Sequence, residues 1–244
     1  MLKKTKGIIF HQVKYSESSV IVKIYTELLG LQTYILKGVR KKKSKIKSNL
    51  LQPLTLVEME VYHKENSEIN FIKEIRNTYH FKSLPFKIYK SSIALFITEI
   101  LYKSIREEEP NKNLFDFIFN SVKFLDSTEE EISNFHLLFA IQLTKYLGIF
   151  PNGKYSETNK YFDLQEGNFQ EILPKHFNYI DKNLSKYFYE LSLLNYEKMN
   201  SINISNKIRK ELLEKIILYY QIHLPGIKEI NSNQILSEVL SESY

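Results

Sequence analysis

The sequence predicts a multi-domain α+β chain: five short strands forming a small antiparallel barrel or sandwich, then an all-helical body with a small β-hairpin insertion. Three observations predict it. Over the first 80 of 244 residues, apolar side chains recur at every second position; beyond them they recur at spacings of three and four. Charge divides at the same place. Residues 1–80 carry 15 Lys/Arg against 7 Asp/Glu, leaving 19 against 21 of the chain's 34 cations and 28 acids for residues 81–244. The expected domains are therefore 1–80 and 81–244, with the insertion at about 151–171.

The strands follow in order. Thr5 to Val13 holds β-compatible apolar residues without a helical period. In Ser18 to Thr26, Val20, Val22 and Ile24 share one face and Ile21, Lys23 and Tyr25 the other. Gly30 marks a turn. In Leu31 to Leu36, Leu31, Thr33 and Ile35 alternate with Gln32, Tyr34 and Leu36. Leu54 to Tyr62 puts Val57, Met59 and Val61 inward and Glu58 and Glu60 outward, with Pro53 at its entrance, where a missing N–H costs least. Ile69 to Ile75 is the fifth. Strands this short and closely spaced suit a barrel or sandwich.

Helices come next. Ser83-Leu84-Pro85 reads as a helix start, followed by Tyr89, Ile93, Phe96, Ile97 and Ile100. Leu114, Phe115, Ile118, Val122 and Leu125 form a second stripe. Thr128 to Glu131 fits a capping box for a third, ended by Gly148 and Pro151. Residues 161–169 read as a two-strand hairpin turning at Glu166–Asn168. Helical spacing returns at 184–194, at 208–219 behind a Ser205 cap, and in a short last helix around Ile235 to Leu240.

Composition excludes several classes. Hydrophobic residues are 43% and charged residues 25%, which is globular usage. No apolar run approaches the ~18 residues of a membrane span. The apolar stretch after Lys3, Lys4 and Lys6 is too short for a signal peptide, so a cytoplasmic, nucleoid-associated protein is expected. There is no cysteine, hence no disulfide, thiolate nucleophile or cysteine-ligated metal. The seven glycines build no phosphate-binding loop, and the six histidines show no metal-ligand spacing. The acidic clusters at 107–109 and 129–131 suit helix ends better than acid–base work. Neither enzyme activity nor a cofactor or metal is expected.

The strongest local signal is 38–48, Gly-Val-Arg-Lys-Lys-Lys-Ser-Lys-Ile-Lys-Ser, in which six of the eight residues from 40 to 47 are basic. Repulsion keeps such a run from packing alone, and its cations can neutralise phosphates and release counterions. Lys23 and Tyr34, on strand faces with polar neighbours, add a candidate cation and a candidate base-stacking ring, although aromatics are also simply good strand formers.

Four blocks then align with one family. Tyr15-Ser16-Glu17-Ser18-Ser19, Thr26-Glu27 with Gly30, Lys37-Gly38-Val39-Arg40 through Ser44, and Leu51-Gln52-Pro53 stand in order. This resembles the N-terminal domain of the bacterial recombination mediator RecO family. Ile97 to Leu101, Leu114 to Asp116 and Phe135 to Gly148 resemble its second domain. The resemblance implies an N-terminal five-stranded OB-fold barrel and a non-catalytic mediator. It implies binding of single- and double-stranded DNA, strand annealing and action with RecR. Binding of the single-strand-binding protein C-terminal tail is implied too, with RecA met indirectly during loading onto coated DNA. The DNA contacts it implies are Lys37, Arg40, Lys41, Lys42, Lys43, Lys45 and Lys47. Two departures stand out. Many relatives hold zinc with four cysteines where 151–171 has none, so Tyr161, Phe162 and Phe169 are expected to pack instead. Ser133 and Asn134 also stand where the family's tail groove has basic side chains. The competing readings are a helical protein-interaction adaptor and an RNA-binding OB protein.

Overall fold

Alternation alone places the barrel wall. In the computed structural model, which describes residues 1–39, 48–64 and 67–242, β1 (Leu2–Lys14), β2 (Val20–Thr26), β3 (Gly30–Leu36), β4 (Leu56–Tyr62) and β5 (Asn70–Asn77) form a closed barrel. Its strand order is β1-β2-β3-β5-β4, closing back on β1. Every pairing is antiparallel except β3 with β5. Ile9, Val22, Ile24, Tyr34, Leu36, Val57, Met59 and Val61 fill the interior. Closure leaves no free sheet edge. The turn before β3 needs Gly30: its φ is +64°, and a Cβ there would lie 2.5–2.6 Å from the backbone of Glu108 and Glu109.

The chain groups into two units, Met1–Phe86 with Ile105–Ser127, and Lys87–Ser104 with Thr128–Tyr244. The first unit therefore takes in a helix that chain order would assign to the body. Along Lys112–Ser127 the apolar side chains Leu114, Phe115, Ile118, Val122 and Leu125 fall on one buried face. Phe115 meets Tyr25 of β2 with ring centroids 6.3 Å apart, and Tyr25 stacks on Phe10 of β1 at 5.7 Å. At the helix end, Asp126 accepts from the amides of Lys82, Ser83 and Leu84 and from the Tyr79 hydroxyl. Residues 82–84 are thus held by a carboxylate, and Ser83-Leu84-Pro85 opens no helix; α1 begins at Ile88 and runs to Ser104. The helix Lys112–Ser127 is α2.

The second unit is built on α3 (Phe135–Tyr146), whose Phe135, Leu137, Leu138, Phe139, Ala140, Ile141 and Leu143 are all buried; a helix apolar all round sits in a core. The expected capping box at 128–131 does not form. Thr128 accepts from the Glu130 amide, Glu131 accepts from Ser133, and α3 starts after Asn134, whose side chain is committed to Met199 and Ile202. At its other end Gly148 (φ +73°) turns the chain, and the Ile149 amide reaches back to the Thr144 carbonyl at 3.1 Å.

α3 packs against α1, α4 (Lys182–Leu193) and α5 (Asn206–His223), and α6 (Ser232–Glu242) packs against α1 and α5. Ser205 caps α5, accepting from the Ile208 amide. The insertion is a three-stranded sheet, with β6 (Tyr161–Asp163) between β7 (Asn168–Gln170) and β8 (Tyr179–Ile180). Phe162 anchors it against Phe169 and Phe188, both with ring centroids 4.8 Å away, and Tyr219 at 5.8 Å. Tyr161 stays partly exposed. Among the described residues no helix is long and apolar enough to cross a membrane.

Candidate nucleic-acid interface

Cations on the barrel are not equivalent. On the β1–β4–β5 face, Glu58 binds Lys4 at 3.4 Å and Arg76 through a 2.8 Å bond from Nε, and Glu60 binds Lys73 at 2.9 Å. The Arg76 hydrogen bond holds the Glu58 carboxyl below its ordinary pKa, and the Lys73 hydrogen bond does the same for Glu60. These pairs are exposed, so each contributes little stability, but they neutralise that face.

The next outward row along the same wall differs. Register aligns Leu2 with Tyr62, Tyr62 with Phe71, Phe71 with Ile35, Ile35 with Ile21, and Ile21 with Val13. Residues paired across a sheet share a face, so these six make one outward row through all five strands. Leu2 (45%), Val13 (45%), Tyr62 (50%) and Phe71 (47%) are exposed. Lys37, two residues beyond Ile35 on the same face, is exposed and sets its Nζ over the Phe71 ring, 5.3 Å from the centroid.

The predicted contacts fare unequally. Lys37 is exposed just past the end of β3. Lys23 lies on the outer face of β2, half-buried, in register with Thr33 and His11. Arg40, Lys41, Lys42, Lys43, Lys45 and Lys47 lie outside the described residues. Tyr34 is a correction. Its side chain points into the barrel with 0% exposure, burial drives its hydroxyl well above the ordinary pKa, and no base can stack on it. It faces inward because Val22, its register partner, is a core residue. The exposed pair Tyr62 and Phe71 is not singled out by the sequence reading, although Tyr62 shares its parity with the outward Glu58 and Glu60.

A second feature lies in the helical unit. Between the start of α5, α3 and α6 runs a groove of about 310 Å³, with Leu213, Leu236 and Leu240 as its floor and Lys207 and Lys210 exposed on its rim. Arg209 is buried beside it, donating Nη1 to Asn134 Oδ1 at 3.1 Å and Nη2 to Asn206 Oδ1 at 2.5 Å. The positive end of the α5 dipole adds to this field. His136 lines the groove with Nδ1 unpartnered among the described residues; burial first, then the Arg209 charge, lowers its pKa to about 3, so it is neutral. Apolar floor plus cationic rim can receive a peptide that presents both apolar side chains and carboxylates. Asn134 is not a substitute cation here; it holds one that α5 supplies. Among the described residues no group of three or more His, Asp or Glu could hold a metal ion.

Comparison with known proteins agrees over nearly the whole chain. The family model described as Recombination protein O N terminal matches residues 1–81, and Recombination protein O C terminal matches residues 85–230. The chain is similar to the DNA repair protein RecO of Bacteroides fragilis, 37% identical over 240 residues, covering 98% of this chain and 99% of that one. The proteins of that name from Christiangramia forsetii (38% over 244 residues; 98% and 99% covered) and Phocaeicola vulgatus (35% over 241; 99% and 100%) match similarly. A closed five-stranded barrel followed by these helices, matched by both family models, places the chain in the recombination protein O family.

Proposed function

We propose that the chain is a non-catalytic mediator of DNA repair and recombination, working at the nucleoid. Its barrel binds single- and double-stranded DNA and promotes annealing of complementary strands. With RecR it helps load RecA onto DNA coated by single-strand-binding protein, whose acidic tail docks in the groove between α5 and α6. The observation that carries this reading is Lys37: it stands at the end of β3 over the exposed Phe71 ring, just before the sequence enters six cations in eight residues, while Lys4, Lys73 and Arg76 on the barrel wall are paired with Glu58 and Glu60. Relatives named for DNA repair support it.

The test is a titration of labelled oligonucleotides over a range of salt. If four phosphates are neutralised on a single strand, log affinity falls against log salt with a slope of roughly −3, and replacing residues 40–43 by Ala flattens it. An unchanged slope removes that segment from the interface. Annealing of strands coated by single-strand-binding protein, with and without its acidic tail, tests the partner. Tail dependence that disappears in Lys207→Glu/Lys210→Glu supports the groove.

A further inference from the structure

We propose that Tyr62 and Phe71 form a base-stacking platform on the barrel that selects unpaired strands over duplex. The inference rests on the DNA-binding reading above and assigns the part of the surface that touches bases rather than phosphates. The two rings are register partners on adjacent antiparallel strands, so they stand side by side on the outer face, about 5 Å apart at their Cβ atoms. Both are about half exposed, and the row they belong to continues through Leu2, Ile35, Ile21 and Val13. Such a row has a solvation cost that nothing in the barrel's own packing requires. The alternation that builds the core is satisfied from the opposite face, by Val57, Met59 and Val61.

Charge favours nucleic acid as the occupant, because the carboxylate beside the pair, Glu60, is already matched by Lys73 at 2.9 Å. The Lys37 ammonium lies 5.3 Å from the Phe71 centroid, close enough for one nucleotide to give its phosphate to the cation and its base to the ring. Lys64 is exposed two residues beyond Tyr62, and Lys14 beside Val13. Aromatic faces accept any base, whereas in a duplex the base faces are already stacked on one another. The platform therefore adds affinity only for unpaired strands, and that addition is insensitive to salt. Phosphate contacts elsewhere serve both substrates.

The experiment uses the full chain and two variants. Tyr62→Ala/Phe71→Ala removes exposed rings, so its melting temperature should stay near the parent's. Affinity for an oligothymidine should fall at least about tenfold, given roughly 5- to 150-fold per stacked base, with duplex affinity and the salt slope unchanged. The chain has no tryptophan, so Phe71→Trp is a unique fluorescent reporter at the platform. Its emission should be quenched by oligothymidine and not by duplex. The proposal is overturned if the double variant binds oligothymidine like the parent, if duplex affinity falls equally, or if the tryptophan does not respond. In those cases parental DNA binding still stands. A parent chain that binds no DNA would overturn the proposed function as well.

Discussion

Arg209 and Asn134 are joined across the helical unit by a 3.1 Å hydrogen bond from the guanidinium to the carboxamide oxygen. The Asn134 amide nitrogen meanwhile donates to the carbonyls of Met199 (3.2 Å) and Ile202 (3.1 Å). One buried side chain thus fixes the irregular segment after α4 and orients the cation beside the groove. Asn134→Leu strips two buried carbonyls of their donor. The expected cost is about 2–3 kcal/mol, read as a lower urea midpoint at constant slope. Binding of an acidic peptide should weaken in the same variant.

His136 gives the fold a defined acid sensitivity. Burial and the nearby Arg209 charge lower its pKa from 6.5 to about 3, and the Phe96 ring stands edge-on to it at 6.2 Å. The unfolded chain takes up a proton near pH 6.5 and the folded one does not, so this stability is complete above pH 6.5 and is lost as pH falls through 6.5 towards 3. At pH 5 the difference is about 2 kcal/mol. The drop in melting temperature between about pH 7.5 and about pH 5, on either side of that onset, should be smaller in His136→Gln. Equal drops in the two proteins would mean that the ring is protonated in the folded state.

Glu99 ties α1 to α6. Its carboxylate accepts from the amides of Asn231 (3.0 Å) and Ser232 (2.8 Å), from the Ser232 hydroxyl at 2.5 Å, and from Lys103 Nζ at 2.6 Å. Burial acts to raise its pKa, but Lys103, Ser232 and the two amides outweigh it and hold the value at about 2 instead of 4.5. A lowered carboxyl stabilises above its unfolded value, so this anchor is intact above about pH 4.5 and lost as pH falls from there through about 2. Glu99→Gln should loosen α6 at neutral pH. Faster amide exchange across 232–240, with the barrel unaffected, is the expected readout.

What could be read in advance follows from how local each cause is. Val57, Met59 and Val61 announce their face by alternation, Ser205 and Gly148 mark their helix ends, and all behave accordingly. Residues 83–85 and 128–131 have the composition of helix starts yet do not open one. The amides at 82–84 are claimed by Asp126, and the turn before α3 is set by bonds to residues more than sixty positions away. The strand β8 has only two residues, too few for a period to be seen. The candidate interface is half legible. Lys37 and the basic run stand out by charge, whereas the Tyr62–Phe71 pair exists only once register brings β4 and β5 together.

Tyr34 provides the sharpest contrast with that pair. It is as aromatic as Tyr62 and lies one strand from Phe71, yet it is fully buried and its hydroxyl has no hydrogen-bond partner among the described residues. A buried unpaired hydroxyl is a net cost, because it gave up water and gained nothing. Tyr34→Phe keeps the ring's packing against the barrel core and removes only that oxygen. The variant should be as stable as the parent or up to about 1 kcal/mol more so, whereas Tyr34→Ala should lose about 3–5 kcal/mol to the cavity. Oligothymidine affinity should stay within about twofold of the parent in Tyr34→Phe, a difference well under 1 kcal/mol. A larger loss would mean that the hydroxyl reaches the bound strand and that β3 opens on binding.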